Sequence, residues 1–68
     1  MEKDKNKFHE LLMLFDRNVP KTYYAISKKH KNIIDEAVEK KYILEVGEDD
    51  TGQKLYIISD LGIQLRDY

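Results

Sequence analysis

The chain has 68 residues, no cysteine and a formal net charge of −1 at pH 7, so it suits one small domain without disulfides or thiolate metal sites. It has no glycine-rich phosphate loop, its two histidines (His9 and His30) fall on different predicted elements, and no stretch has the length and apolarity of a membrane span or signal peptide. We therefore expect a cytoplasmic, non-enzymatic protein of one domain, residues 1–68, without cofactor, metal or membrane contact.

Charge is distributed unevenly along the chain. Residues 20–41 carry six lysines against three acids, and residues 42–68 carry two basic residues against six acids. The middle of the chain is therefore basic and its last third acidic.

The first predicted element is an amphipathic helix from Asn6 to about Arg17. Its apolar residues recur three and four positions apart, which is the spacing of one helix face. Asp4 or Asn6 can cap its start, and Pro20 enforces its end because the residue before a proline disfavours helical angles. Residues 1–5 lack apolar anchors, so we expect them to be frayed. The expected core face consists of Phe8, Leu11, Leu12 and Phe15.

Met13 and Leu14 widen the apolar stripe of this helix beyond what one small core needs. Adjoining exposed apolar residues mark surfaces that bind other proteins. In addition, the core of so short a chain seldom supplies more than about 3–5 kcal/mol of net stability. We therefore take Met13 and Leu14 as candidate partner-binding residues and expect a protein partner or a homodimer.

The segment from Pro20 to Lys41 has two interpretations. Pro20 suits the first turn of a second helix, and the apolar spacing from Ile33 onward predicts a third helix that ends near Lys41. The six polar residues 27–32 between them are either a turn between two helices or the solvent side of one long helix. A polar run of that length leaves almost two turns without core contact, so we favour the turn and keep the single helix as the alternative.

The last third of the chain predicts a β-hairpin followed by a short helix. Residues 42–48 alternate in the manner of a strand, residues 49–52 form a turn in which Gly52 can adopt a positive φ, and residues 54–58 are the return strand. Ser59 or Asp60 can cap the final helix. That helix is expected to bury Leu61 and Leu65.

Residues 33–65 resemble the winged helix-turn-helix superfamily, particularly regulators of the MarR and PadR type. The matching stretches are Ala37-Val38-Glu39-Lys40-Lys41-Tyr42-Ile43, which resembles the exit of a helix into a wing, and Leu55-Tyr56-Ile57-Ile58-Ser59-Asp60-Leu61-Gly62, which resembles the return strand entering the next helix. The resemblance implies an α+β fold, namely a small, shortened winged helix with three N-terminal helices, a two-stranded β-hairpin wing and a short C-terminal helix. It also implies DNA as the ligand and the third helix as the recognition helix.

The tip of the expected wing is acidic. Glu48, Asp49 and Asp50 stand where winged helices usually present basic residues, and Lys54 is the only base nearby. Because carboxylates repel phosphates, we expect this wing not to enter the minor groove.

The basic run from Lys28 to Asn32 is the strongest candidate for a nucleic-acid site. Its lysines can contact phosphates, while His30 or Asn32 can reach base edges. An exposed tyrosine nearby can stack on an unpaired base. The alternative is an ordinary solvated turn. The candidate nucleic-acid-binding residues are Lys21, Tyr24, Lys28, Lys29, His30, Lys31, Asn32 and Lys54.

Two functions follow from these observations. The first is a small winged-helix protein that binds duplex or single-stranded DNA, weakly when alone, as a transcription regulator or DNA-processing accessory factor of a phage or mobile element. The second is a protein-interaction subunit that docks on a larger replication enzyme, such as a polymerase, primase or recombinase, and binds single-stranded DNA weakly.

Overall fold

The computed structural model of the protein describes residues 2–67. Within them the chain forms a small α+β fold of three helices and one three-stranded antiparallel sheet with strand order β1-β3-β2. The elements in chain order are α1 (Glu2–Met13), β1 (Lys21–Thr22), α2 (Tyr23–Glu39), β2 (Ile43–Glu48), β3 (Lys54–Ile58) and α3 (Asp60–Asp67).

Helix α1 begins and ends four residues earlier than its spacing predicts. Residues 2–5, which we expected to fray, are helical, because Asp4 binds Lys40 and Tyr42 and fastens the first turn; Met1 lies outside the described residues. Asp4 and Asn6 therefore lie within the helix instead of capping it. Beyond Met13 the chain tightens into a turn, in which the Phe15 N–H donates to the Leu12 carbonyl at 3.1 Å.

The predicted start of a second helix at Pro20 is wrong. Lys21 and Thr22 pair with Tyr56 and Leu55 of β3, so the expected two-stranded hairpin belongs to a three-stranded sheet. Two residues are too few to display the alternation of a strand. Helix α2 begins directly after them, where the Thr22 Oγ1 accepts a hydrogen bond from the Ala25 N–H at 3.2 Å and caps the helix.

Helix α2 is continuous from Tyr23 to Glu39, with a kink at His30, where φ is −123° and ψ is 19°. The favoured turn at residues 27–32 is therefore reduced to one non-helical residue, His30, at which two helical segments meet, and the other polar residues of the run are helical as the alternative predicts. The polar run contains neither glycine nor proline, and lysine is a good helix former. The run is also not fully exposed, because half-buried His30 lies four residues from each of the buried Ile26 and Ile34. Two helices, the second divided by this kink, consequently precede the hairpin.

The hairpin and the final helix lie where the sequence predicts them. In the turn, the Asp49 N–H donates to the Gln53 carbonyl at 2.9 Å and Gly52 has a φ of 86°. Ser59 caps α3 by accepting a hydrogen bond from the Gly62 N–H at 3.0 Å. Of the two leucines expected to be buried, Leu65 is buried but Leu61 is 44% exposed.

One hydrophobic core joins all three helices to the inner face of the sheet. Helix α1 and the turn after it contribute four large side chains, which are in contact with residues from α2, β2, β3 and α3. None of the helices within residues 2–67 combines the length and apolarity needed to cross a membrane. The buried side chains are Phe8, Leu11, Leu12, Phe15, Ile26, Ile34, Ala37, Tyr42, Ile43, Tyr56, Ile58, Ile63 and Leu65.

Candidate nucleic-acid interface

The first half of α2 and the turn after α1 form the most basic part of the protein. Residues 17–34 contain five basic residues and no acid. Lys28, Lys29 and Lys31 are exposed, and within residues 2–67 none of these three makes an ion pair. We refer to Tyr24, Lys28, Lys29, Lys31 and Asn32 as the basic surface.

The two adjacent tyrosines at the start of α2 diverge, as their spacing predicts. Tyr23 is half-buried, and its ring centroid lies 6.5 Å from that of Tyr56. Tyr24 is 64% exposed, and the Lys28 ammonium lies 4.8 Å from the centroid of its ring. This distance is that of a cation–π contact, so the lysine holds a solvent-exposed aromatic ring within the basic surface.

A shallow groove of about 190 Å³ adjoins the basic surface. We call it the lysine groove. Its apolar side consists of Leu14 and Ala25, and its polar rim consists of Lys28, Lys29 and His30. Sequence reasoning missed Ala25, although its place three and four residues before the two lysines puts it beside them on one helix flank.

The candidate partner-binding residues lie at the end of α1. Met13 is 59% exposed and Leu14 is also exposed. Leu14 lines the lysine groove. The apolar stripe of α1 thus continues onto the surface at the point where the first half of α2 is basic.

Two of the candidate lysines belong to other elements and are engaged there. Lys21 in β1 is half-buried, with its ammonium 3.7 Å from a carboxylate oxygen of Asp16. Lys54 in β3 lies 3.7 Å from a carboxylate oxygen of Glu45 in β2. Neither lysine lines the lysine groove, which is built from residues 28–30, from Ala25 on the same helix and from Leu14 in the turn after α1.

The second half of α2 carries the opposite charge. Asp35 and Glu39 are exposed there. Glu36 accepts a hydrogen bond from the Lys7 ammonium at 2.6 Å, and this contact lowers the pKa of Glu36 below its ordinary value. The unpaired basic residues of α2 are therefore confined to its part up to Lys31.

One acid of the hairpin tip, Asp49, stabilises the turn through hydrogen bonds. One carboxylate oxygen of Asp49 accepts hydrogen bonds from the N–H groups of Thr51 and Gln53, each at 2.9 Å. A hydrogen bond from the Thr51 hydroxyl, followed by these backbone bonds, lowers the pKa of Asp49. Asp49 therefore shapes the turn, while its neighbours Glu48 and Asp50 remain exposed.

Within the described residues, histidines and carboxylates do not gather into a group of three or more that could hold a metal ion. No family model, no curated protein and no solved structure matches the chain. The basic surface and the lysine groove are therefore the features of this protein that indicate a function.

Proposed function

We propose that this protein is a small, non-enzymatic DNA-binding protein of winged-helix type that acts in the cytoplasm and prefers single-stranded DNA. It serves as a regulator or as an accessory factor in DNA processing. The observation that carries the proposal is the exposed ring of Tyr24 among unpaired lysines of the basic surface.

An exposed aromatic ring beside free ammonium groups suits an unstacked base and its flanking phosphates. Base–aromatic stacking contributes about 1–3 kcal/mol per base and tolerates any sequence. The lysines attract the backbone by releasing counterions. Tyr24 supplies the stacking surface here, while Lys28, Lys29 and Lys31 supply the charge.

The winged-helix assignment is supported by the order of the elements. The kink at His30 divides α2 into two segments, so three helical segments precede the β2–β3 hairpin. The segment after the kink would be the recognition helix, but it exposes Asp35 and Glu39. Carboxylates facing a major groove oppose duplex binding, which is why single-stranded DNA is the preferred ligand.

Fluorescence anisotropy with a labelled single-stranded oligonucleotide and the matching duplex tests this proposal. We expect tighter binding to the single strand. If about three to five phosphates are engaged, the slope of log K against log salt concentration should be about −2 to −3.5 for the single strand. Tyr24→Ala should weaken binding roughly 5- to 150-fold, as expected for the loss of one stacked base.

Charge reversal tests the location of the site. The triple variant Lys28→Glu/Lys29→Glu/Lys31→Glu should abolish binding while the circular dichroism spectrum stays that of a folded protein. The matched control is Lys3→Glu/Lys5→Glu/Lys41→Glu, which changes the net charge equally but outside the basic surface. Equal loss in both variants, or a slope near zero, would contradict the proposal.

A second candidate function is docking on a larger replication enzyme. It is favoured by the exposure of Met13 and by Leu14, which lines the lysine groove. In this role the basic surface would only assist in holding a single strand. A folded chain that binds neither form of DNA by itself in the anisotropy titration would favour this function over the first.

A further inference from the structure

Two stretches of opposite charge within one molecule are not paired with each other. The lysine groove belongs to a stretch, residues 17–34, that has five basic residues and no acid, whereas residues 42–53 have four acids and no basic residue. Within residues 2–67 no ion pair joins the two stretches. The lysines of the groove and the acids at the hairpin tip are in none of the ion pairs of these residues, so their charges are available to another molecule.

The acidic stretch also exposes apolar side chains. We define the acidic hairpin as residues 44–50 of β2 and the turn after it. Val46, at the bulge in β2, is 48% exposed, and Leu44 is exposed as well. Because β2 is an edge strand in the order β1-β3-β2, the sheet covers only one of its sides. The acidic hairpin thus combines exposed aliphatic groups with the free carboxylates of Glu48 and Asp50.

The lysine groove has the complementary composition. Leu14 and Ala25 form its apolar side, and Lys28, Lys29 and His30 form its rim. Its volume of about 190 Å³ is below the roughly 300–1,000 Å³ of small-molecule pockets. It therefore suits one or two aliphatic side chains inserted from a protein whose flanking residues are acidic.

We propose that the lysine groove of one molecule binds the acidic hairpin of a second copy. Val46 and Leu44 contact the apolar side of the groove, while Glu48 and Asp50 pair with the lysines of its rim. The chain itself supplies both halves of this contact, each with apolar and charged parts that match the other. The contact is heterologous, so each copy donates its hairpin to one neighbour and its groove to another.

This inference goes beyond the proposed function and does not depend on it. The contact occupies lysines that also belong to the basic surface, so self-association and DNA binding compete. Self-association is measured as molecular mass in the absence of DNA, and substitutions in the acidic hairpin leave the basic surface unchanged. Failure of self-association and failure of DNA binding are therefore separate results.

Sedimentation of the full chain over a range of concentrations tests the contact. At about 0.1 M salt, where the Debye length is roughly 10 Å, the weight-average mass should rise above the 8.1 kDa of one chain as concentration increases. At about 1 M salt, where the Debye length is roughly 3 Å, the dissociation constant should be at least tenfold higher. A single mass of 8.1 kDa at every concentration and in both salts would overturn the proposal.

A charge swap identifies the two surfaces. Lys28→Glu/Lys29→Glu makes the groove acidic like the hairpin, and Glu48→Lys/Asp50→Lys puts two lysines at the hairpin positions that contact the basic groove, so each variant alone should stay monomeric. An equimolar mixture of the two should associate, because every pair of reversed groove and hairpin positions then finds contact residues of opposite charge. Lys3→Glu/Lys5→Glu should associate like the unchanged chain. Association that survives either groove or hairpin reversal, or a mixture that stays monomeric, would overturn the assignment.

Discussion

At Gly62, helix α3 lies very close to the end of β3 and to Tyr42. A Cβ atom at this position would lie 2.1 Å from the carbonyl oxygen of Tyr42 and 2.9 Å from a side-chain carbon of Ile58. The same Tyr42 oxygen accepts hydrogen bonds from Ser59, from its N–H at 3.0 Å and its hydroxyl at 2.9 Å. The backbone at this junction is therefore fixed from two sides, and only glycine fits.

We expect Gly62→Ala to destabilise the protein by about 1–3 kcal/mol, the usual cost of overpacking. Helix propensity alone would predict the opposite sign, since alanine is favoured over glycine by about 1 kcal/mol inside a helix. Urea unfolding followed by circular dichroism measures the difference. The exposed Gln64→Ala on the same helix is the control and should change stability little. A Gly62→Ala variant as stable as the unchanged chain would refute the steric argument.

Some residue-level features can be predicted from the sequence and others cannot. The exposure of Tyr24 follows from its adjacency to Tyr23, and the capping role of Ser59 follows from its place before an apolar turn. The positive φ of Lys41, 67°, has no local signal, because lysine seldom adopts it. The lysine groove also escapes prediction, since Leu14 and Ala25 meet only after the turn between α1 and α2 is formed.

At the scale of elements, the hairpin is predictable because its signals are local. The residues that favour its turn and its two strands are consecutive in the sequence. The boundaries of α1 and the existence of β1 are not local. Helix α1 begins early because Asp4 finds partners about 36 residues away, and β1 exists because two residues pair with β3. The single helix α2 could have been inferred from the absence of helix breakers in its polar run.

The start of α1 is held to the end of α2 by a small polar cluster. The hydroxyl of Tyr42 donates to Asp4 Oδ2 at 2.6 Å, and the Lys40 ammonium donates to Asp4 Oδ1 at 3.0 Å. The Tyr42 contact first, and the Lys40 contact second, lower the pKa of Asp4 below its ordinary 3.8. The same hydrogen bond raises the pKa of Tyr42 above its ordinary 10.0.

These pKa shifts predict stability losses at both ends of the pH range. The contribution of Asp4 is fully present above pH 3.8 and is lost as the pH falls through its lower folded pKa. That of Tyr42 is present below pH 10.0 and is lost as the pH rises through its higher folded pKa. Asp4→Asn should therefore lower Tm at neutral pH, and the difference from the unchanged chain should disappear as the pH falls through the folded pKa of Asp4, because the protonated carboxyl is uncharged like the amide.

Thermal melts of Asp4→Asn and the unchanged chain across this range provide the measurement. Glu10→Gln is the matched control, because Glu10 is an exposed carboxylate on the same helix and within residues 2–67 it makes no ion pair. Its Tm should follow that of the unchanged chain at every pH. An equal Tm for Asp4→Asn and the unchanged chain at neutral pH would show that the polar cluster does not stabilise α1.

At the scale of the whole molecule, the buried side chains of residues 2–67 form a single hydrophobic core. Phe8 is completely buried within that core. Its ring centroid lies 5.2 Å from that of Tyr42, where the chain passes from α2 into β2. A side chain of α1 therefore packs against the residue that leads into β2, so the loss of α1 packing should destabilise the hairpin.

Phe8→Ala tests whether the molecule folds as one unit. Truncating a buried phenylalanine costs about 3–5 kcal/mol, and a core of this size supplies about 3–5 kcal/mol of net stability. The variant should therefore be largely unfolded, with the amide signals of β2 and β3 collapsing to random-coil shifts together with those of α1. Met13→Ala is the control, since Met13 is 59% exposed on the same helix and its loss should change stability by no more than about 0.5 kcal/mol. A Phe8→Ala chain that keeps native hairpin signals while α1 melts would mean that the sheet and α2 form a stable unit without the first helix.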